Sequence, residues 1–216
     1  VKGAVGIRSS SGTLRLRDVG AADVQSDYST IEITGVTGAG GKRLAVRSQS
    51  GKLTLEDVVG DVTIDNPYST IRLGRIRGNV SLTSSSGTIE GSDITGDWKS
   101  QTEYSSLSLR DLSAGTVSVS NSGSAVRIGL RTVPTTVNIR NNYAGVRVRM
   151  PQGFSGEVDL DAQYGTIDTN LPLQRRDRNS SATARGRVGS GSGSITIEAS
   201  SGSIELQDGG RQSAAE

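Results

Sequence analysis

The chain has 216 residues, a formal net charge of +2, 32% hydrophobic and 3% aromatic residues, and neither cysteine nor histidine. The missing residue types exclude disulfides, thiol chemistry, the usual zinc ligands and any Ser–His or Cys–His nucleophile pair. The small net charge excludes a whole-molecule polyelectrolyte role, and no apolar run approaches the roughly 20 residues of a membrane-spanning helix.

The first element opens at Val5/Ile7, an apolar-x-apolar triplet followed nine residues later by a second, Leu14/Leu16. The same pair recurs at Ala22/Val24 with Ile31/Ile33, Leu44/Val46 with Leu53/Leu55, and Val62/Ile64 with Ile71/Leu73. It continues from Val80/Leu82, Trp98, Val117/Val119, Val137/Ile139, Val158/Leu160 and Ile195/Ile197, each with its partner nine residues on. Period-two alternation marks a strand with one buried face, and short strands at fixed spacing mean stacked coils, because one coil cannot bury its face alone. The pattern predicts an all-β, single-stranded parallel β-helix of about ten coils of roughly 18–22 residues. General preference makes it right-handed. One domain covers residues 1–206, and the polar residues 207–216 are expected to form a flexible tail. The chain starts at Val1 with a coil beginning at once, which suggests a trimmed N-terminus.

The step between paired triplets is constant, whereas the return to the next coil swells at 34–43, 129–136, 149–157 and 170–194, the last being the longest side loop. In solenoids such insertions gather on one face, often the binding face. They carry Lys42, Arg43, Arg131, Arg149, Arg175, Arg176, Arg178, Arg185 and Arg187 against only Glu157 and Asp177. A basic rim of this kind suits an anionic polysaccharide or envelope component; nucleic acid is not an expected partner. The stretch between Asp111 and Glu157 has no acid and contains Arg127, Arg131, Arg140, Arg147 and Arg149, making it the favoured place for a bound anion.

The constant turn has its own pattern. Tyr28, Tyr68, Tyr104, Tyr143 and Tyr164, all the tyrosines of the chain, each sit three residues before a second triplet, in alternation with Ser or Gly until Tyr143 and Tyr164 fall in consecutive coils. They either stiffen one corner or form an aromatic ladder; the turn breaks strand parity, so periodicity assigns them neither to the inside nor to the outside. Outward residues between the second-triplet positions run Arg15, Glu32, Thr54, Arg72, Glu90, Ser108, Arg127, Arg147 and Asp168. This column predicts cross-strand pairs Arg15–Glu32 and Arg72–Glu90 and a repulsive Arg127–Arg147 contact.

Glu157, Asp159 and Asp161 alternate on one strand, but ligands in a straight line do not wrap a cation, so neither metal nor cofactor is expected. The glycine-rich 188–194 run lacks the Lys-Ser/Thr of a phosphate loop. Carboxylates are scattered, which argues against an enzyme. No cap is visible before Val5 or after Leu206, so the coil ends should either be covered by flanking sequence or pair head to tail between copies.

Repeated Ser-Gly-Thr-Ile and Gly-Asp-Val-Thr-Ile units, as at 85–89 and 60–64, together with a late Arg- and Gly-rich excursion before a final strand pair, resemble the bacterial putative-adhesin domain family of β-strand-repeat proteins. Bactofilins are a weaker resemblance. The family resemblance implies a β-helix exported from the cytoplasm with an adhesive or envelope role, and brings no catalytic residues. The expected function is therefore a non-enzymatic surface or envelope scaffold that displays basic loops to an anionic glycan or another surface. The alternatives are a filament-forming subunit and a degenerate polysaccharide-active enzyme.

Overall fold

A computed structural model describes residues 4–38 and 43–209. Within them the chain forms seventeen strands and no helix. The first seven are β1 (Ala4–Val19), β2 (Ala21–Val36), β3 (Leu44–Val59), β4 (Val62–Asp65), β5 (Tyr68–Arg77), β6 (Val80–Thr95) and β7 (Trp98–Ser113). Next come β8 (Thr116–Asn121), β9 (Val126–Leu130), β10 (Thr136–Asn141), β11 (Val146–Met150), β12 (Gly156–Gln163) and β13 (Ile167–Thr169). The last four are β14 (Gln174–Arg178), β15 (Ser181–Val188), β16 (Gly193–Ala199) and β17 (Ile204–Asp208). Residues Gln207 and Asp208 thus belong to the last coil and not to a tail; residues 210–216 lie outside the described residues.

The parallel β-solenoid predicted from the triplets is the fold. Both triplets of each coil point inward in register with those of the next, as in Leu53 beside Ile71 and Ile71 beside Ile89; their side chains are almost fully buried in the coils from β2 to β11 and half-buried in β1. Each coil has a third side that the triplets do not announce. After the second triplet the chain turns through a residue in the left-handed region (Asp18, Asp57, Arg75, Asp93 and Asp111, φ between 50° and 56°) and sends one apolar side chain back inside. These side chains form their own column, Val19, Val36, Val58, Ile76, Ile94, Leu112 and Leu130. Asp tolerates left-handed backbone because its short carboxylate can bond locally; Arg75 occupies it with its guanidinium held by Asp57 at 2.6 Å and Glu56 at 3.0 Å. On the short returns an Asx ladder closes the coil, with the Asn79 amide donating to Asp61, Asp97 to Asn79 and Thr116 to Asp97, all at 2.8–2.9 Å.

The uniform stack of about ten coils requires correction. Eight turns, β1 to β11, follow one another in chain order; the last two are interleaved. Strand β16 pairs in parallel with both β10 and β12, and β17 with both β11 and β13. The C-terminal coil therefore sits between the eighth turn and the coil that precedes it in sequence. Strands β10 and β12 lie one strand apart with β16 between them, and Phe154 in the connecting return 151–155 is buried. The crossing is tight: a Cβ on Gly156 would lie 2.0 Å from the Gly193 carbonyl oxygen.

A second correction concerns the 170–194 excursion, which is not a side loop. Its strands β14 and β15 form a hairpin, and β15 pairs antiparallel with the outer edge of β12. Ala182, Ala184 and Leu171 cover the end of the core. The outermost strand β14, Gln174-Arg175-Arg176-Asp177-Arg178, is exposed along its whole length. A short charged edge strand of this kind resists pairing with another chain. Of the two solenoid ends expected to be bare, the one at β12 is capped.

Candidate functional site

The corner that carries the tyrosines is built from two turn types that alternate. In β2 and β5 the sequence Tyr-Ser-Thr turns its Ser inward, where Ser26 donates to Ser29 and Ser69 donates to Asn66, each at 2.5 Å. In the coils between, Gly replaces that Ser. A Cβ on Gly51 would lie 2.1 Å from the Ser29 carbonyl oxygen, and one on Gly87 1.9 Å from that of Ser69. Each Tyr-Ser turn thus pushes a carbonyl into the next coil, and only glycine there accepts it. Further along, Thr102 donates to Asn121 at 2.9 Å, and the Asn121 and Asn141 side-chain amides donate to the Ser124 and Ala144 carbonyls at 2.6 and 2.8 Å. These buried polar groups tie the turn from inside and leave the preceding residue pointing out.

All five tyrosines occupy that outward position and are 63–73% exposed. Strand register gives the column as Ser11, Tyr28, Ser50, Tyr68, Ser86, Tyr104. It continues through Gly123, which the Tyr104 ring overlies, to Tyr143. Tyr143 and Tyr164 are consecutive in sequence but not in space: the interleaved coil places Ser201 between them, three residues before Ile204, which pairs with both Val146 and Ile167. Tyrosine and small residue alternate without a break. The rings repeat at twice the strand separation, roughly 9.5 Å. Tyr164 holds this place in left-handed backbone, φ 54°, which costs a non-glycine residue roughly 1–2 kcal/mol.

The nine basic residues of the long returns do not form one rim. Lys42 lies outside the described residues. Arg43 belongs to the return between the second and third coils, about 24 Å along the rod from that of Arg131 and further from the rest, since the coils between have short returns. Arg131 bridges Asp93 at 2.6 Å and Asp111 at 3.7 Å; Arg175 holds Asp177 at 3.0 Å. Across the cap, Arg185 pairs with Asp159 at 2.7 Å and Arg187 with Glu157 at 3.0 Å, so the carboxylate row on β12 is committed to arginines of β15. Of these nine bases, Arg43, Arg176 and Arg178 have no ion pair among the described residues.

The interleaved coil partly neutralises the acid-free stretch between Asp111 and Glu157, meeting three of its five arginines. Glu198 reaches Arg140 at 3.1 Å, and Glu205 binds both Arg147 and, at 3.4 Å, Arg149. In the outward column Glu205 therefore follows Arg147, ahead of Asp168. The pairs Arg15–Glu32 and Arg72–Glu90 form as expected, at 2.7 and 2.9 Å. Hydrogen bonding by Arg15, and then its charge, holds the Glu32 carboxyl below its ordinary range; Arg75 does the same for Asp57. Both shifts run opposite to the raised pKa that a general-acid carboxyl needs at neutral pH.

A family model described as Toastrack DUF4097 matches residues 24–207. Among solved structures, a protein from Clostridium sporogenes described as a putative cell adhesion protein is 17% identical, with a TM-score of 0.33 over 62% of this chain and 57% of that one. No curated protein matches.

Proposed function

Because this chain belongs to the Toastrack DUF4097 family, we propose that it is a non-enzymatic, adhesin-like contact element of the bacterial envelope, working outside the cytoplasm through the side of its solenoid. The observation that carries this reading is the unbroken row of exposed tyrosines on one corner of the rod. Monomeric proteins seldom keep a regular row of large aromatic side chains in water without a partner for them. The basic-rim form of the reading has fewer side chains to draw on than the composition suggests, because most loop arginines hold acids of their own chain. Arg43, Arg176 and Arg178 are the bases that such a rim would offer. Head-to-tail filament growth needs two open edges, and β14 covers one with charge.

The test is attachment. Beads coated with the purified domain should be retained on bacterial cells or isolated envelope above albumin-coated beads, and a domain in which all five tyrosines are serine should lose that retention. Equal retention of all three bead types would overturn the reading.

A further inference from the structure

Building on this adhesive reading, we propose that the tyrosine column is the binding site for one extended chain of an uncharged, β-linked polysaccharide lying along the solenoid axis. Carbonyl insertion accounts for the alternation of Ser and Gly at the buried turn position, but at the outward one, even where the Tyr104 ring overlies Gly123, every tyrosine stays at least 63% exposed. That position nevertheless holds every tyrosine of the chain, including one in left-handed backbone.

Geometry selects a linear polymer. Five rings at roughly 9.5 Å intervals form a row about 38 Å long on one exposed corner. An extended β-linked chain flips its sugar rings alternately, so each second unit presents the same apolar C–H face. A disaccharide step is close to the spacing of the rings, and sugar C–H faces stack on aromatic faces.

The neighbours select an uncharged polymer. Before four of the five rings stand exposed Asp27, Glu103, Asn142 and Gln163, with Pro67 before Tyr68; the four side-chain oxygens accept hydrogen bonds from hydroxyl groups, and the Asp27 and Glu103 carboxylates repel phosphate, sulfate or uronate. On the other side the register aligns Thr13, Thr30, Lys52, Thr70, Thr88 and Ser106, a row of hydroxyl groups broken by one base. A polyproline II peptide also repeats at about this distance, roughly 9.3 Å for three residues. Proline-rich segments, however, lack the donors that these acceptors would use, and they dock in aromatic-walled grooves, not on a corner.

The experiment is calorimetry and affinity electrophoresis of the intact chain with hydroxyethylcellulose, β-mannan and chito-oligosaccharides of increasing length. Heparin and a proline-rich peptide serve as competing probes. The expected result is binding to at least one neutral glycan that tightens with chain length and barely responds to salt. Tyr68→Ala and Tyr104→Ala should each weaken it between about two- and tenfold, with circular dichroism unchanged because the rings are exposed. Three results would overturn the proposal: no neutral glycan bound, binding that survives replacement of all five tyrosines by serine, or tyrosine-dependent binding of heparin or the peptide alone. If the glycans fail while coated beads still attach to envelope, the ladder assignment fails and the adhesive reading stands. If both fail, both are wrong.

Discussion

The eight turns from β1 to β11 and the interleaved end from β12 to β17 are made of the same Φ-x-Φ strands, yet they are held in different ways. In the first region each coil pairs with its neighbours in sequence, and contacts lie one or two repeats away, as in the Arg72–Glu90 and Arg131–Asp93 bridges. In the second, the last coil is sandwiched between two earlier ones, and ion pairs such as Arg140–Glu198 and Arg147–Glu205 span 58 residues. A repeat stack can lose a terminal coil and keep the rest. The interleaved end cannot, because its last coil is an internal one.

The sharpest way to break the comparison is to end the chain after Val188. This removes Ile195, Ile197, Ile204 and Leu206, all fully buried, and leaves β10 and β12 a strand apart. At about 1.5–3 kcal/mol for each side chain, the loss is comparable with the whole stability of a domain. Urea unfolding followed by circular dichroism should show β8 to β15 no longer folding cooperatively; a single, merely shifted transition would refute the sandwiched role of β16. Next in size is Gly51→Ala, which places a methyl group 2.1 Å from a backbone oxygen at φ 124°. Backbone strain and overpacking together should cost about 3–5 kcal/mol. Gly12→Ala in the first coil meets nothing within 4 Å, so strain alone should cost about 1–2 kcal/mol. Equal effects of the two would show that carbonyl insertion does not drive the Ser/Gly alternation.

Electrostatic effects are smaller. Replacing Glu198 and Glu205 by Gln frees Arg140, Arg147 and Arg149, and the variant should elute from heparin at higher salt than the wild type with the fold retained. Unchanged elution would mean that the interleaved acids do not mask this patch. The smallest effect is in acid. The Glu32 and Asp57 carboxyls are held low in the folded chain by Arg15 and Arg75. Their contribution is complete above the ordinary carboxyl pKa of about 4 and is lost as pH falls through the lowered folded value. The melting temperature should therefore drop in acid, and less steeply in Arg75→Ser. Identical profiles would leave Asp57 without a measurable part in acid stability.

Two of the three sides of each coil were readable because alternation is a two-residue signal that needs at least two inward positions. The third column, Val19 to Leu130, puts a single apolar residue among polar ones and produces no period. The hairpin was invisible for a related reason: β14 is polar on both faces, and an edge strand that faces water everywhere reads as a loop. The tyrosines were found as a column from their spacing, whereas their outward orientation depended on buried partners such as Ser26 and Asn66 that fix the turn from inside.

What the amino-acid order determined by itself is the coil: its strands, its turns and the side chains it buries, because these depend on contacts with backbone of fixed geometry one repeat away. What only the tertiary structure decided is which coil lies beside which. Strands β12 and β16 carry the same alternating pattern and either could follow β10; in the folded chain β16 takes that place, with Gly156 and Gly193 in close approach. That placement sets Ser201 between two tyrosines and two glutamates among three arginines, so both the aromatic row and the charge of the far end follow from stacking order and not from composition.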